Sequence, residues 1–322
     1  MPDMMELAYH TASWGSQNFV TALSDITAVG FRGIESGIGL VARFEDRLGV
    51  FEEIMKHQEL ELVAITGGGR NMLNDQLALE VERVINAARF MQQTNTHVLN
   101  YFAPQIPPAD AFNQAPQLPA PGAALGAEFN VAPQIQDLNG YVAAVAEGLN
   151  EIGQRCLDLG IKFCLHPEIG TLCDSKAEIE TFLKLTDPKF VNLCVDYGHL
   201  AKRGLTGGSF LTDVGKRIGY IHIKDLKLRS PDKKTKGRKK ADPEAQPKGA
   251  RALAAIAKNP ELTYPVALGQ GVLDLSRFIA KLGELGYSGW LTVDIESAQE
   301  GAPRENAQVS YRYADEQLDL VL

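Results

Sequence analysis

Cys164-Leu165-His166-Pro167-Glu168 is an apolar run that ends in an imidazole and a carboxylate. Three later runs end in the same way: Leu193-Cys194-Val195-Asp196, Tyr220-Ile221-His222-Ile223-Lys224-Asp225 and Leu291-Thr292-Val293-Asp294-Ile295-Glu296. A charged group at the end of a buried strand costs free energy unless it meets an opposite charge. Strands of a parallel barrel bring such ends together on one face, where they can share a partner. Carboxylates and a neutral imidazole together suit a divalent cation.

Outward from these runs, the hydrophobic period keeps switching between two and about 3.6. Glu6 to His10, Gly33 to Glu35, Leu60 to Thr66 and His97 to Tyr101 read as the first four strands. Lys162 to His166, Val191 to Asp196, Gly219 to Lys224 and Trp290 to Asp294 read as the last four. Helices fall between them, at Phe19 to Val29, Val50 to Gln58, Asp75 to Gln93 and Tyr141 to Leu159. Two more open at a Ser175 to Glu178 capping box and at an Asp274 cap. Asp196 follows Glu168 by 28 residues and His222 follows Asp196 by 26, against roughly 30 for one barrel unit. The expected fold is therefore α/β, a (β/α)8 barrel forming a single domain over residues 1–322. A doubly wound sheet would call for a Gly-rich phosphate loop after the first strand, and there is none. Insertions at about 103–133, rich in Pro and Ala, and about 228–249, basic and polar, follow the fourth and seventh strands. Both would lie on the C-terminal face, as lids or as surface loops.

The 322 residues are 45% hydrophobic and 22% charged, the balance of a water-soluble globular chain. A net charge of −8 disfavours nucleic acid, whose backbone is bound by clustered Lys and Arg. The basic run from Lys233 to Lys240 reads as a solvated loop, in preference to a phosphate or polyanion site. Cys156, Cys164, Cys173 and Cys194 contain no CxxC pair, and three of them sit in or next to apolar runs, as buried thiols in a reducing compartment do. Neither a signal-peptide pattern nor an apolar run of membrane-spanning length is present. The expectation is a soluble cytoplasmic protein, with a homo-oligomer open.

Side chains alternate along a strand, so His166 and Glu168 can share an inward face, as can Asp294 and Glu296. The candidate metal ligands are thus His166, Glu168, Asp196, His222, Asp294 and Glu296, with Glu168 and Asp294 favoured from their pairs. Lys224 follows His222 by two and faces the same way; in a barrel mouth it pairs with acids or carries a proton. His199 lies just beyond Asp196. Glu168, Lys224, Glu296 and His199 are the candidates for acid and base work. His10, Glu35 and Asn100 end strands one, two and four; with His199 and Lys224 they could bind substrate hydroxyls, or simply bond within loops. Asp225 reads as support for the ligands or as a loop cap, and His57 and His97 as structural.

His166-Pro167-Glu168-Ile169-Gly170-Thr171, Asp196-Tyr197-Gly198-His199-Leu200, His222-Ile223-Lys224-Asp225, Leu268 to Asp274 and Gly286-Tyr287-Ser288-Gly289-Trp290 resemble the xylose-isomerase-like barrel family of sugar-phosphate isomerases and epimerases. The nearest branch is the inosose dehydratase type. The resemblance is strong over about 160–297, and before that rests mainly on Gly30-Phe31-Arg32-Gly33-Ile34-Glu35. It implies one divalent ion (Mn²⁺ first, with Mg²⁺, Co²⁺ or Zn²⁺ as alternatives) held from strands five to eight, and carboxylates that move a proton beside a ketone. The dehydratase branch usually carries His where Glu168 stands here and Glu near where Asp294 stands.

The expected function follows: a metal-dependent isomerase or epimerase acting on a keto sugar or keto-cyclitol through a metal-stabilised enediolate. An inosose-dehydratase-like lyase would share that intermediate and lose a β-hydroxyl from it. A barrel that binds sugar without catalysis is the non-enzymatic alternative. An endonuclease-IV-type phosphodiesterase would need more His at the strand ends and a less acidic chain.

Overall fold

The computed structural model describes residues 5–70, 72–73, 75–108, 111–112, 135, 137–229, 249–296 and 300–320. Strands numbered along the chain are β1 (Met5–His10), β2 (Gly33–Gly37), β3 (Glu61–Gly68), β4 (Val98–Phe102), β5 (Lys162–His166), β6 (Val191–Asp196), β7 (Ile218–Ile223), β8 (Asp225–Leu228), β9 (Thr263–Val266) and β10 (Gly289–Val293). β1 to β7 and β10 close into a barrel in the order β1-β10-β7-β6-β5-β4-β3-β2. All neighbouring pairs are parallel. The eight barrel strands are those the sequence predicts, with ends shifted by a residue or two.

Parallel strands need long crossovers, and helices supply them. α1 (Phe19–Val29) buries Phe19, Ala22, Leu23 and Ile26, one face at helical spacing. Burying the three large side chains contributes about 2 kcal/mol each. The helix stops at Gly30, whose φ is +121°, and a Cβ there would lie 2.7 Å from the ring of Tyr311. α2 (Gly39–Phe44), α3 (Leu48–Gln58), α4 (Asp75–Gln93) and α5 (Leu138–Asp158) follow. α6 (Lys176–Leu185) opens with the expected capping box: the Glu178 N–H donates to Ser175 Oγ, and the Ser175 N–H donates to Glu178 Oε2 at 2.7 Å.

Between β6 and β10 the chain departs from the sequence expectation. α7 (Tyr197–Lys202) and α8 (Gly208–Val214) lie between β6 and β7. Beyond β7, β8 and β9 form an antiparallel ribbon flanking α9 (Ala250–Lys258). The ribbon strands have four residues each, with Pro265 in one, too short for a periodic signal. Asp225 fastens the ribbon by accepting the N–H groups of Leu226, Gly269, Gly271 and Leu273. A Cβ on Gly271 would run into that carboxylate. α10 (Leu275–Glu284) begins at Asp274, which accepts from the Arg277 N–H. α11 (Pro303–Leu318), also unforeseen, packs Tyr311 on Phe31 with ring centroids 5.1 Å apart.

All four cysteines are buried and free. No described helix is long and apolar enough to cross a membrane. Most of the 103–133 and 228–249 insertions, and the Lys233 to Lys240 run, lie outside the described residues. Part of the first is placed, where Gln105 bridges to Thr171 beside the barrel mouth.

Candidate active site

Four strands deliver four buried side chains to one point on the C-terminal face. His166 is the last residue of β5, Asp196 the last of β6, His222 lies in β7, and Asp294 directly follows β10. None is more than 2% exposed. One donor atom each from Asp196, His222 and Asp294 lie within 4.8 Å of one another, and the same holds for His166, Asp196 and His199. His222 Nδ1 is 3.5 Å from Asp294 Oδ2 and 3.9 Å from Asp196 Oδ2, and His166 Nε2 is 3.9 Å from Asp196 Oδ2.

These atoms share an unusual condition: Asp196 Oδ2, both Asp294 oxygens, both His166 nitrogens and His222 Nδ1 are buried without a hydrogen bond. Each such group costs about 1–3 kcal/mol when left unsatisfied. Asp196 divides its duties, since Oδ1 accepts the His199 N–H at 2.9 Å and caps α7 while Oδ2 faces the cluster. Burial holds the His166 imidazole well below its ordinary pKa, helped by His222 and His199, so it is neutral and offers a lone pair. The residues present therefore fit a divalent cation: two imidazoles and two carboxylates, dry, whose carboxylates already face a cation in Lys224. Nothing in that donor set singles out manganese.

Beneath the cluster lies a second set in the opposite condition. His222 Nε2 is 2.7 Å from Glu35 Oε2. Glu35 also accepts from Asn100 Nδ2 at 3.0 Å, from Tyr220 OH at 2.9 Å and from the Thr66 hydroxyl. Burial pushes the Glu35 carboxyl up, but the charge of His222 and its hydrogen bond outweigh that and hold it at about 2. Burial likewise opposes charge on His222, yet Glu35 and then Asp294 raise its pKa well above the ordinary value. With Nε2–H given to Glu35, the ring turns Nδ1 to the cluster, as carboxylate–histidine–metal triads do.

Lys224 Nζ reaches into the cluster from the end of β7. It is 3.1 Å from Asp196 Oδ2, 3.0 Å from Asp294 Oδ2 and 3.0 Å from Glu296 Oε1. Burial disfavours its charge, but these three carboxylates raise its pKa well above the ordinary lysine range. Its stem lies across Gly198, where a Cβ would approach Lys224 Cδ to 2.9 Å.

The outer shell is open. Glu168, Asp294 and Glu296 line a cleft of about 570 Å³, together with His10 and Thr66. His199 Nδ1 is 3.3 Å from Glu168 Oε2, and burial raises the Glu168 carboxyl above its usual range. The sequence favours Glu168 over His166 as the fifth-strand ligand. In the structure β5 ends at His166, so His166 lies in the inner cluster while Glu168 stands partly exposed at the mouth. Asp294 is inside and Glu296 outside for the same reason. His10 borders the cleft. Glu35 and Asn100 are wholly buried beneath His222, which places them out of reach of substrate hydroxyls. Thr66, Tyr220 and Thr292 complete that lower network and were not singled out from sequence. Tyr220 and Thr292 each stand two residues before a candidate ligand, so strand alternation would have found them.

A family model described as xylose isomerase-like TIM barrel matches residues 23–316. The chain belongs to this family. An inosose dehydratase from Lacticaseibacillus casei is 29% identical over 177 residues, 55% of this chain and 54% of that protein; the chain thus spans about half the length of the curated relatives it matches. Among solved structures, a D-allulose 3-epimerase from Methylomonas sp. superposes with a TM-score of 0.63 at 14% identity, covering 98% of each chain. The IolI protein, described with a bound zinc atom, superposes at 0.64 and 14% identity over 99% of each. These two likenesses support the xylose isomerase-like barrel as the fold.

Proposed function

We propose that this barrel is a lyase of the xylose isomerase-like family that removes water from a keto-cyclitol or keto sugar, beginning with loss of the proton beside the carbonyl. The observation that carries the proposal is the dry cluster of Asp196, His222, Asp294 and His166, whose donor atoms converge on one point with the Lys224 ammonium as the one cation among them. These four residues would hold one divalent cation. When bound, such an ion supplies Lewis acidity toward a carbonyl and its adjacent hydroxyl.

The remaining work falls to the chain's own groups. Glu168, with its raised pKa and an edge on the cleft, is the base that accepts the proton from the carbon next to the carbonyl. The Ile169 N–H holds that carboxylate at Oε1, and His199 Nδ1 stands 3.3 Å from Oε2. Lys224 and Glu296, paired at 3.0 Å, are the acid: as the C–O bond breaks, a proton from this pair joins the departing hydroxyl and water leaves. Lys224 is also paired with Asp196 and Asp294, residues that would hold the ion, and Glu296 is its one carboxylate partner outside that set. His10 and the cleft walls orient the ring. Epimerisation shares the first step and differs only in returning the proton to carbon. The inosose dehydratase relative and the acid pair at the mouth support elimination.

Metal analysis of the purified protein, followed by NMR in D₂O with inosose and keto-sugar substrates, tests this. One divalent ion per chain, deuterium at the α-carbon and loss of water are expected. A protein that carries no ion and exchanges no α-proton with any member of the panel would end the proposal. Exchange with inversion and without elimination would reassign it as an epimerase.

A further inference from the structure

A second cavity of about 330 Å³ opens beside the main cleft. The two share His10, Ala12 and Gly37 as a common wall. His10 stands between the chemistry and the new space, its ring 6.2 Å from that of His222. The second cavity is built differently from the first. The main cleft carries Glu168, Asp294 and Glu296, while the second carries no acid and one cation, Arg43, with the hydroxyls of Thr11, Ser16 and Ser36.

Arg43 is held without being neutralised. Its guanidinium lies over the rings of Phe19 and Phe44, 5.7 and 5.3 Å from their centroids, and one Nη donates to the Ser16 carbonyl at 3.4 Å. Arg83, Arg155, Arg203 and Arg304 each pair with a carboxylate; Arg43 pairs with none among the described residues. Contact with ring faces restrains a guanidinium and leaves N–H groups for a planar or tetrahedral oxyanion. Neighbouring glycines keep the space open: a Cβ at Gly15, Gly37 or Gly39 would meet nothing within 4 Å. The joined cleft therefore has an acid end and a guanidinium end. A substrate with a carbonyl at one end and an anion at the other fits it in a single orientation, because the anion is repelled from Glu168 and Glu296.

We infer that the cavity at Arg43 is an anion subsite, so the substrate is a keto sugar or keto-cyclitol bearing a phosphate or carboxylate remote from its carbonyl. This rests on the reading of the main cleft as a substrate site. Calorimetric titration with inorganic phosphate, with D-gluconate and with neutral myo-inositol tests it, using wild type, Arg43→Met, Gly39→Leu and Asp196→Ala. Wild type should bind at least one anion, and which one separates a sugar phosphate from a sugar acid. Arg43→Met should weaken that binding by a factor of about ten or more. Gly39→Leu, which fills the cavity one helical turn before Arg43 and keeps the guanidinium, should do the same, while Asp196→Ala should leave it unchanged. The inference is overturned if neither anion binds, if Arg43→Met binds as wild type does, or if Asp196→Ala abolishes binding, which would place the anion at the inner cluster. Should the chain lack α-proton exchange altogether, phosphate binding at Arg43 would still be measurable, so the two failures are distinct.

Discussion

Two halves of the same rim use the same kinds of residue to opposite ends. On the β2–β4 side, the Glu35 carboxylate is met by Thr66, Asn100, Tyr220 and His222. On the β5–β10 side, Asp294 has no hydrogen bond at either oxygen and Asp196 has none at Oδ2. Both sets are dry, so solvent does not explain the difference. A saturated carboxylate has spent its lone pairs on holding the barrel and aiming His222. An unsaturated one keeps them for a ligand, and in its place the fold sets the Lys224 ammonium among the acids. Burial of charge alone thus does not mark a site; burial of charge with unspent lone pairs does.

The largest effect is expected where the unsaturated half is removed. Asp196→Ala/His222→Ala should bring bound metal to background and slow α-proton exchange by roughly three orders of magnitude. Its denaturation midpoint should fall as well, because the buried Glu35 carboxylate loses His222 and α7 loses its Asp196 cap. Full metal occupancy in that protein would erase the contrast between the halves. Glu35→Ala should act first on the fold and only through His222 on the metal. It strands buried partners on four sides and should cost about 3–5 kcal/mol by urea denaturation, besides weakening metal binding by about 10–100-fold through the freed His222 ring. A variant as stable as wild type would show that the lower network holds nothing.

Lys224→Met sharpens the comparison, because the ammonium and an ion compete for the same two oxygens. Metal titration should show tighter binding, by about tenfold, while turnover falls by about a hundredfold through loss of the acid. Unchanged turnover on an identified substrate would make the lysine structural. A pH series on wild type and Glu35→Gln isolates Glu35 as a difference, since Asp196 and Asp294 are also held below the ordinary carboxylate range. Its carboxyl is held at about 2 against an ordinary 4.5. The folded state therefore binds this proton less readily than the unfolded chain. The resulting stability is present in full above the unfolded value and is lost as pH falls toward about 2. On the order of 3 kcal/mol should disappear between about pH 5 and pH 2 in denaturation experiments, and Glu35→Gln should flatten that part of the curve. The smallest effect belongs to Lys227→Met. Lys227 pairs with Glu300 off the barrel, and surface pairs contribute about 0–1 kcal/mol, so kinetics and midpoint should both stay near wild type.

Much of the molecule was legible in the sequence, and in each case a local rule carried it. Alternating periods located the eight barrel strands, and caps at Ser175 and Asp274 located two helix starts. Strand-end chemistry picked out Asp196, His222 and Asp294, because such residues waste burial anywhere but at a shared partner. The β8–β9 ribbon was not legible, since four-residue strands carry no period. Neither was α11, whose role is to pack Tyr311 against Phe31 and Gly30 across nearly the whole chain.

What the sequence by itself determined is which chemical groups end the strands and that those ends meet, because periodicity and connection length act locally along the chain. Only the tertiary structure decided what each group does there. Alternation allowed His166 and Glu168 equally, and the point at which β5 ends put one inside and the other at the mouth. Glu35 and Asp294 are both acids at strand ends, yet the neighbours that saturate Glu35 come from β3, β4 and β7, and no local pattern records them. The physical reason is that a lone pair is spent or unspent according to what surrounds it in space, and those surroundings are assembled only when the barrel closes.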